Sequence, residues 1–266
     1  MVGQLEGKSA IITGASRGVG LAIARRFFDA GANVVLADAD EETIQKEALA
    51  LDEAKERAIS FRCDPTMRLD LNNLMAAAVD AFDDVDVLVH TASVVAAGEA
   101  FELEESEFQR AFDVNVKSSF LLTQMVAKHM IQRAKENDQK SANCAIINVS
   151  ALNSYSVIPN RFALGISMAA LDQLTRSFAV ALAEDGIRVN GIAPGGISGR
   201  FSGLSEPDAR KAVVERTPMQ RLGDPSEIAD AAVFLASDQA SFITGQVIVA
   251  DGGRSIFDMS MPEPEG

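Results

Sequence analysis

The chain has 266 residues, 47% of them apolar and 23% charged, enough to bury one sizeable core; wholesale disorder and a small disulfide-stapled scaffold are both excluded. Its 24 Lys plus Arg stand against 38 Asp plus Glu, a net charge of −14 that repels nucleic-acid phosphates and anionic membrane surfaces. Two cysteines inside apolar runs (Cys63 and Cys144), an opening segment with Glu6, and no run near the ~20 apolar residues of a membrane span lead us to expect a soluble, cytoplasmic protein with no signal peptide and no disulfide framework.

In chain order, short Val- and Ile-rich runs alternate with longer segments of helical period, the pattern of β-α units on a parallel sheet. A first strand is expected at Ser9–Thr13, followed at once by Thr13-Gly14-Ala15-Ser16-Arg17-Gly18-Val19-Gly20 and a helix over Gly18–Ala30. Such glycines suit a tight strand-to-helix turn, let backbone approach a pyrophosphate, and aim helix N-terminal N–H groups at its charge. The second strand, Asn33–Ala37, ends at Asp38, about 20 residues past the glycines, where a carboxylate accepts hydrogen bonds from adenosine ribose hydroxyls and repels a 2′-phosphate. Arg17 argues for NADP as a cation beside the turn, but the acid favours NAD. Next come helix Glu41–Glu56, strand Ala58–Cys63, helix Arg68–Phe82, strand Val85–His90 and helix Glu105–Arg133. A polar loop over Arg133–Asn143 precedes strand Cys144–Ser150, helix Phe162–Glu184, strand Ile187–Ile192, helix Ser226–Ala236 and strand Gln246–Val249. Near-continuous apolarity in most strands predicts burial on both faces. With no repeat or linker in view, the expected fold is α/β, a single Rossmann-type domain over residues 1–266. It has a doubly wound, seven-stranded parallel sheet with helices on both faces, and a loose C-terminal tail over 255–266.

Taken together, these segments resemble the classical short-chain dehydrogenase/reductase family, from about Gly7 to Gly253. The glycine turn is similar to the family's TGxxxGxG, Cys63-Asp64-Pro65-Thr66 to its adenine-contacting acidic turn, and Asn115 in FDVNVKSSF to its helix asparagine. Ile187 to Gly195 resembles the sixth strand and the loop over the nicotinamide, and Ile243 to Gly253 the last strand. The resemblance implies a dinucleotide held by Gly14, Ser16, Arg17, Gly18, Val19, Gly20, Asp38, Asp64, Pro65, Thr91, Ala92, Ser93, Pro194, Gly195 and Ile197.

The family's reaction relies on a serine and a YxxxK pair one helical turn apart. Counting back without gaps from Ile187-Arg188-Val189-Asn190 puts Leu164 at the tyrosine position, Met168 at the lysine position and Ala151 at the serine position. No shift of register restores the pair: Tyr155 is the only tyrosine, Pro159 stands four residues on, and no lysine lies between Lys140 and Lys211. The family's NNAG reads here as His90-Thr91-Ala92-Ser93, and Gly199, beside Ser198, replaces the threonine that closes the nicotinamide loop. Hydride transfer to a carbonyl needs an acid/base group within hydrogen-bond reach, which Leu and Met cannot supply.

Few residues offer a substitute. Tyr155, in the loop bordering the family's cleft, carries a phenol that Arg161 would have to acidify. His90 titrates in the useful range, but a histidine at a strand end more often hydrogen-bonds nearby backbone. Ser150 has no base in view, so no nucleophilic triad emerges. Asn115 is the other catalytic candidate: the resemblance implies that it supports a water chain leading from the lysine, but without that lysine it is expected to act structurally, bonding the helix backbone where that helix is irregular. His90 and His129 have no ligand spacing with each other or with the cysteines, so no metal is expected.

Three functions are compatible with these residues. The favoured one is an NAD(H)-binding homologue of the family without its usual catalysis, acting as a binding or regulatory subunit. The second is an oxidoreductase with displaced acid/base chemistry on Tyr155 or His90, and the third a cofactor-independent lyase or isomerase. The resemblance further implies a homotetramer through Glu105–Arg133, Phe162–Glu184 and Ser226–Val249, or a mixed assembly with an active paralogue. Apolar replacements around the cleft fit an apolar small molecule as its ligand and simple infilling of the pocket equally well.

Overall fold

The computed structural model describes residues 3–139, 141–199 and 206–257. Among them, short apolar runs bounded by polar residues form seven strands: β1 Ser9–Thr13, β2 Asn33–Asp38, β3 Ala58–Arg62, β4 Val87–His90, β5 Cys144–Val149, β6 Ile187–Pro194 and β7 Val247–Ala250. Every neighbouring pair is parallel, in the order β3-β2-β1-β4-β5-β6-β7, the doubly wound α/β sheet expected from the sequence. The winding direction reverses beside β1, where Thr13 is in register with Ala37 on one side and His90 on the other. Such a switch point opens a crevice at the carboxyl ends of the strands.

Between the strands run α1 Gly18–Asp29, α2 Glu41–Leu51, α3 Arg68–Phe82, α4 Glu105–Phe112, α5 Ser118–Glu136, α6 Phe162–Leu182, α7 Pro207–Glu215 and α8 Pro225–Ala236. Successive strand residues point to opposite faces, and both faces are covered. Ile12, Leu36, Val89 and Ile147 pack with Phe27 of α1, Ile44 of α2 and Val233 of α8. Ile11, Val35, Leu88 and Ile146 pack with Leu74 of α3, Val126 of α5 and Ala179 of α6. This two-sided burial is why the strands read as unbroken apolar runs.

Several boundaries differ from expectation for local reasons. The second helix stops at Leu51 rather than Glu56, because the Asp52 carboxylate accepts from the Ala54 and Arg57 amides, at 3.2 and 2.6 Å, and wraps the chain into a turn. The single helix expected over residues 105–133 is two helices joined by a π-helical segment, Asp113–Lys117. α5 continues to Glu136, so the polar loop begins later than Arg133. Helix α7 has no counterpart among the expected elements; it is nine residues long and none of them is fully buried. The expected tail over 255–266 begins too early, since Arg254–Ile256 is a 3₁₀ turn in which the Ser255 amide donates to Asp251 Oδ2 at 2.6 Å. Residues 258–266 lie outside the described residues.

At the amino ends of the strands, opposite the crevice, Asp86 accepts from the Ser9 amide at 2.8 Å and pairs with Arg133 at 2.9 Å. This clamp ties the start of the central sheet to the end of α5.

Candidate functional site

The crevice is built from six strand ends, β1 to β6. On leaving β1 the chain turns through Gly14 and Gly18, both with positive φ (67° and 58°), a conformation that costs L-residues about 1–2 kcal/mol. The glycines serve different purposes. A Cβ on Gly20 would sit 2.1 Å from Gly14 O, and one on Gly14 would sit 2.7 Å from Thr91 Oγ1; these two make room for the protein itself. Thr91 fills the space, donating from its hydroxyl to Thr13 O at 2.6 Å. Gly18 alone of the three faces nothing within 4 Å, so only there does the missing side chain leave an opening.

Helix α1 begins at the end of this turn with Arg17 extended at its N-cap and no side-chain cap hydrogen bond. Ser16, just before it, has a buried hydroxyl without a hydrogen-bond partner. Its amide donates to Asp38 Oδ2 at 3.2 Å, while Oδ1 of the same carboxylate accepts from the Asp40 amide at 3.1 Å. Asp38 is thus held at the tip of β2 against the glycine turn with acceptor capacity left over. After β3, Asp64 Oδ1 accepts from both the amide and hydroxyl of Thr66, and the Asp64 amide donates to Asp70, so this turn with Pro65 is self-braced. Burial pushes the Cys63 thiol up to about 12, which keeps it an unreactive thiol.

At the end of β4, His90 is fully buried between two hydroxyls, with Nδ1 3.1 Å from Thr13 Oγ1 and Nε2 3.1 Å from Ser118 Oγ. Burial pushes its pKa down to about 4, against a smaller upward pull from the Val114 backbone. Beside this backbone contact, hydroxyls on β1 and α5 stand within hydrogen-bond distance of both ring nitrogens, partners the sequence does not announce. Thr13 Oγ1 also accepts from the Thr91 and Ala92 amides, ahead of Ser93. Two residues beyond Ala92, Val94 is clasped by Asn115, whose Oδ1 accepts from the Val94 amide at 2.8 Å and whose Nδ2 donates to Val94 O and to Ser167 Oγ. Asn115 therefore does not bond its own helix, as expected, but staples the loop after β4 to α6; the π segment rotates it inward to do so.

The walls beyond are hydrocarbon. At the end of β5, Ala151 precedes a 3₁₀ turn, Leu152–Ser154, and packs on Leu164, Met168 and Leu171 of α6. Leu164 and Met168 are 4% and 2% exposed. Tyr155 is half exposed. Across the crevice, β6 ends at Pro194, and a Cβ on Gly195 would meet Leu152 at 2.6 Å. Ile197 bridges to Gly223, and the Ser198 amide donates to Gly223 O. Behind this loop lies a cavity of about 330 Å³ lined by Gly195, Ile197, Met219 and Asp251, with Arg221 and Glu227 among its walls. The hydroxyl of Ser150 is 3.5 Å from Ile192 O, a backbone carbonyl rather than a base.

His129 is not part of this assembly. It sits on α5, 3.6 Å from Asp84, and among the described residues no three His, Cys, Asp or Glu side chains converge as metal ligands. Sequence reasoning misses the hydroxyls of Thr13, Ser118 and Ser167 and, although it singles out Thr91, not what its hydroxyl packs against; only the register of β1 beside β4 and the packing of α5 and α6 bring these groups together.

A family model described as enoyl-(acyl carrier protein) reductase matches residues 14–255. Over 251 residues the chain is 35% identical to 7alpha-hydroxysteroid dehydrogenase of Escherichia coli strain K12, covering 94% of this chain and 95% of that protein. It is 34% identical over 260 residues to 3beta-hydroxysteroid dehydrogenase 1 of Eggerthella lenta, covering 97% of each. Among solved structures, one from Agrobacterium tumefaciens, described as a candidate gluconate dehydrogenase, superposes with a TM-score of 0.87 at 29% identity, covering 96% of this chain and 99% of that one.

Proposed function

The chain belongs to the short-chain dehydrogenase/reductase family, and from that premise we propose that it binds NAD(H) without performing the family's serine–tyrosine–lysine catalysis. The observation that carries this reading is the apolar cluster of Leu164, Met168 and Leu171 with the partly buried Ala151 packed on it; Leu164, Met168 and Ala151 stand where the resemblance expects the tyrosine, lysine and serine.

The nucleotide half of the site fits a dinucleotide on its own chemistry. The partnerless Ser16 hydroxyl, the uncapped start of α1 and the opening at Gly18 together suit an anionic pyrophosphate. Gly14, Ser16, Arg17, Gly18, Val19 and Gly20 would hold the pyrophosphate side. Asp38 would take the ribose hydroxyls, favouring NAD over NADP, with Asp64 and Pro65 at the adenine. Thr91, Ala92 and Ser93 would line the middle, and Pro194, Gly195 and Ile197 the nicotinamide. When bound, the nicotinamide supplies a hydride acceptor or donor. The chain's own residues would orient it and exclude water, but an alkoxide beside it would find no proton donor in Leu164, Met168 or Ala151. His90, buried and held near 4, is no substitute.

One observation favours a second reading: the half-exposed Tyr155 phenol, four residues past Ala151, is within a loop's reach of the crevice, so hydride transfer with displaced acid/base chemistry stands as the alternative. Nothing favours a cofactor-independent lyase or isomerase. The ligand class we propose is an apolar small molecule, in keeping with the hydrocarbon lining and the hydroxysteroid dehydrogenase names of two relatives. For assembly we propose a homotetramer, supported by the exposed apolar side chains of Phe120 on α5 and Phe162, Ile166 and Val180 on α6, with a mixed oligomer containing an active paralogue as an extension. A cytoplasmic location is proposed from the cysteine usage; no helix among the described residues is long and apolar enough to cross a membrane.

The deciding experiment is a fluorescence titration with NADH and NADPH alongside turnover assays on steroid ketones and alcohols. NADH binding without turnover is expected. Brisk ketone reduction by the purified chain would refute the loss of catalysis, and loss of that rate in Tyr155→Phe would establish the alternative. Failure to bind either dinucleotide would refute the reading from the other side.

A further inference from the structure

His90 occupies a position where a fully buried imidazole has no catalytic use, yet its surroundings specify its protonation state atom by atom. The hydroxyl of Thr13 has two lone pairs and one proton. Both lone pairs are committed, because the Thr91 and Ala92 amides donate to Thr13 Oγ1 at 3.2 and 3.3 Å. Its proton can therefore go only to His90 Nδ1, 3.1 Å away, which must be a bare acceptor. On the other side of the ring, Ser118 Oγ donates its own proton to Val114 O, so it accepts from His90 Nε2 at 3.1 Å. The network thus assigns the ring as neutral with its proton on Nε2. No charged side chain among the described residues shifts it. β1 carries none, Asp86 and Cys144 stand at the far ends of β4 and β5, and Asp113 and Lys117 of the π segment pair with each other at 3.0 Å.

We propose that His90 is a positioning residue for the nucleotide-facing turn: its Nε2–H form orients the Thr13 hydroxyl, which in turn pins the Thr91 and Ala92 amides against the glycine turn and ties them to the π-helical segment. The consequence reaches the opening at Gly18, because the Thr91 side chain occupies the space left by Gly14 and Gly20. If the turn at Thr91 loosens, the glycine turn loses its backing. A merely space-filling role would be met by any residue of similar volume. The proposed role needs an acceptor toward Thr13 and a donor toward Ser118, a pair that the amide of an asparagine also offers and a leucine does not.

This inference rests on the proposed dinucleotide binding, and its test separates the two. In the full-length apo protein labelled with ¹⁵N-histidine, long-range proton–nitrogen correlations at about pH 7 should give the Nε2–H pattern for His90. An Nδ1–H ring, or a His90 that titrates near ~6.5, overturns the proposal whether or not dinucleotide binds. NADH titrations of His90→Asn and His90→Leu form the second arm. Roughly tenfold weaker binding is expected for His90→Leu, equivalent to one buried hydrogen-bond defect, with His90→Asn staying within about twofold of wild type. Equal affinities for His90→Leu and wild type overturn the proposal, as does a His90→Asn defect as large as that of His90→Leu. Should His90→Leu fail to fold, the tautomer in the wild-type protein decides. If the wild type binds no NADH, the functional reading fails while the tautomer measurement still judges the turn.

Discussion

Replacing Met168 with lysine restores an ammonium at the family position but plants it among Leu164, Leu171, Leu174 and Ala151, where the wild-type side chain is 2% exposed. A buried cation without a partner costs about 3–5 kcal/mol. At about 2–4 °C of Tm per kcal/mol for a chain of this size, Met168→Lys should melt roughly 6–20 °C below wild type. Burial lowers a lysine pKa, so the unfolded state binds more protons and stability rises with pH; the deficit should be larger near ~pH 6 than near ~pH 9. Adding Leu164→Tyr and Ala151→Ser supplies oxygens one helical turn away and on the facing loop, and a cycle of single, double and triple variants should return a coupling of about 0.5–3 kcal/mol. Differential scanning calorimetry at the two pH values measures all of this. A Met168→Lys protein as stable as wild type at both would mean the position is wet or already lined for a cation, and the hydrocarbon account of the site would fall.

The two glycines of the turn should separate cleanly. Gly20→Ala drives a methyl to 2.1 Å from Gly14 O and is expected to abolish NADH binding or folding, whereas Gly18→Ala meets no atom and costs only the strain of its positive φ, about 1–2 kcal/mol; chemical denaturation would show the contrast. Asp38→Ala removes the carboxylate that would oppose a 2′-phosphate and should move the NADH/NADPH preference about tenfold toward NADPH in a fluorescence titration, about 1.4 kcal/mol. The depressed pKa of His90, about 4 against 6.5, means the unfolded chain takes up the proton first, so stability is lost as pH falls below 6.5. Between about pH 7.5 and 5.5 this contributes a fall of roughly 1 kcal/mol, seen as a slope in urea midpoints that His90→Asn should lack.

The elements most legible in the sequence are those whose ends coincide with a change of side-chain type. β1 and α3 fall at the expected residues because apolar or periodic runs stop where the structure stops. α2 ends short of its expected limit because 52–56 has helix-compatible composition and its stop signal, one carboxylate taking two amides, is a three-dimensional event. α7 is short, and of its apolar positions only Ala209, Val213 and Val214 are half-buried, too few to stand out as a helical period. At the site, the glycine turn and Asp38 are readable because their spacing is short and local. The role of Thr91 is not, since its hydroxyl meets Gly14 and Gly20 only through the pairing of β1 with β4. A structural role for Asn115 can be read from its place in the chain, but its partners on the loop after β4 and on α6 are beyond the reach of a one-dimensional pattern.

The π segment has a consequence for what this chain can lose. Five residues wound with the wider i→i+5 pitch leave α4 and α5 as two lengths of one rod, set out of phase by an extra residue. Deleting a position beside Asn115 within Asp113–Lys117 would let the rod close into a regular spiral, turning the side chains of the segment while α4 and α5 keep their faces. The amide of Asn115 would then face away from Val94, and the strap it fastens would hang from a single end. A shortening elsewhere in the exposed part of α5 would merely trim its tip, so intolerance to deletion should be concentrated in these few residues.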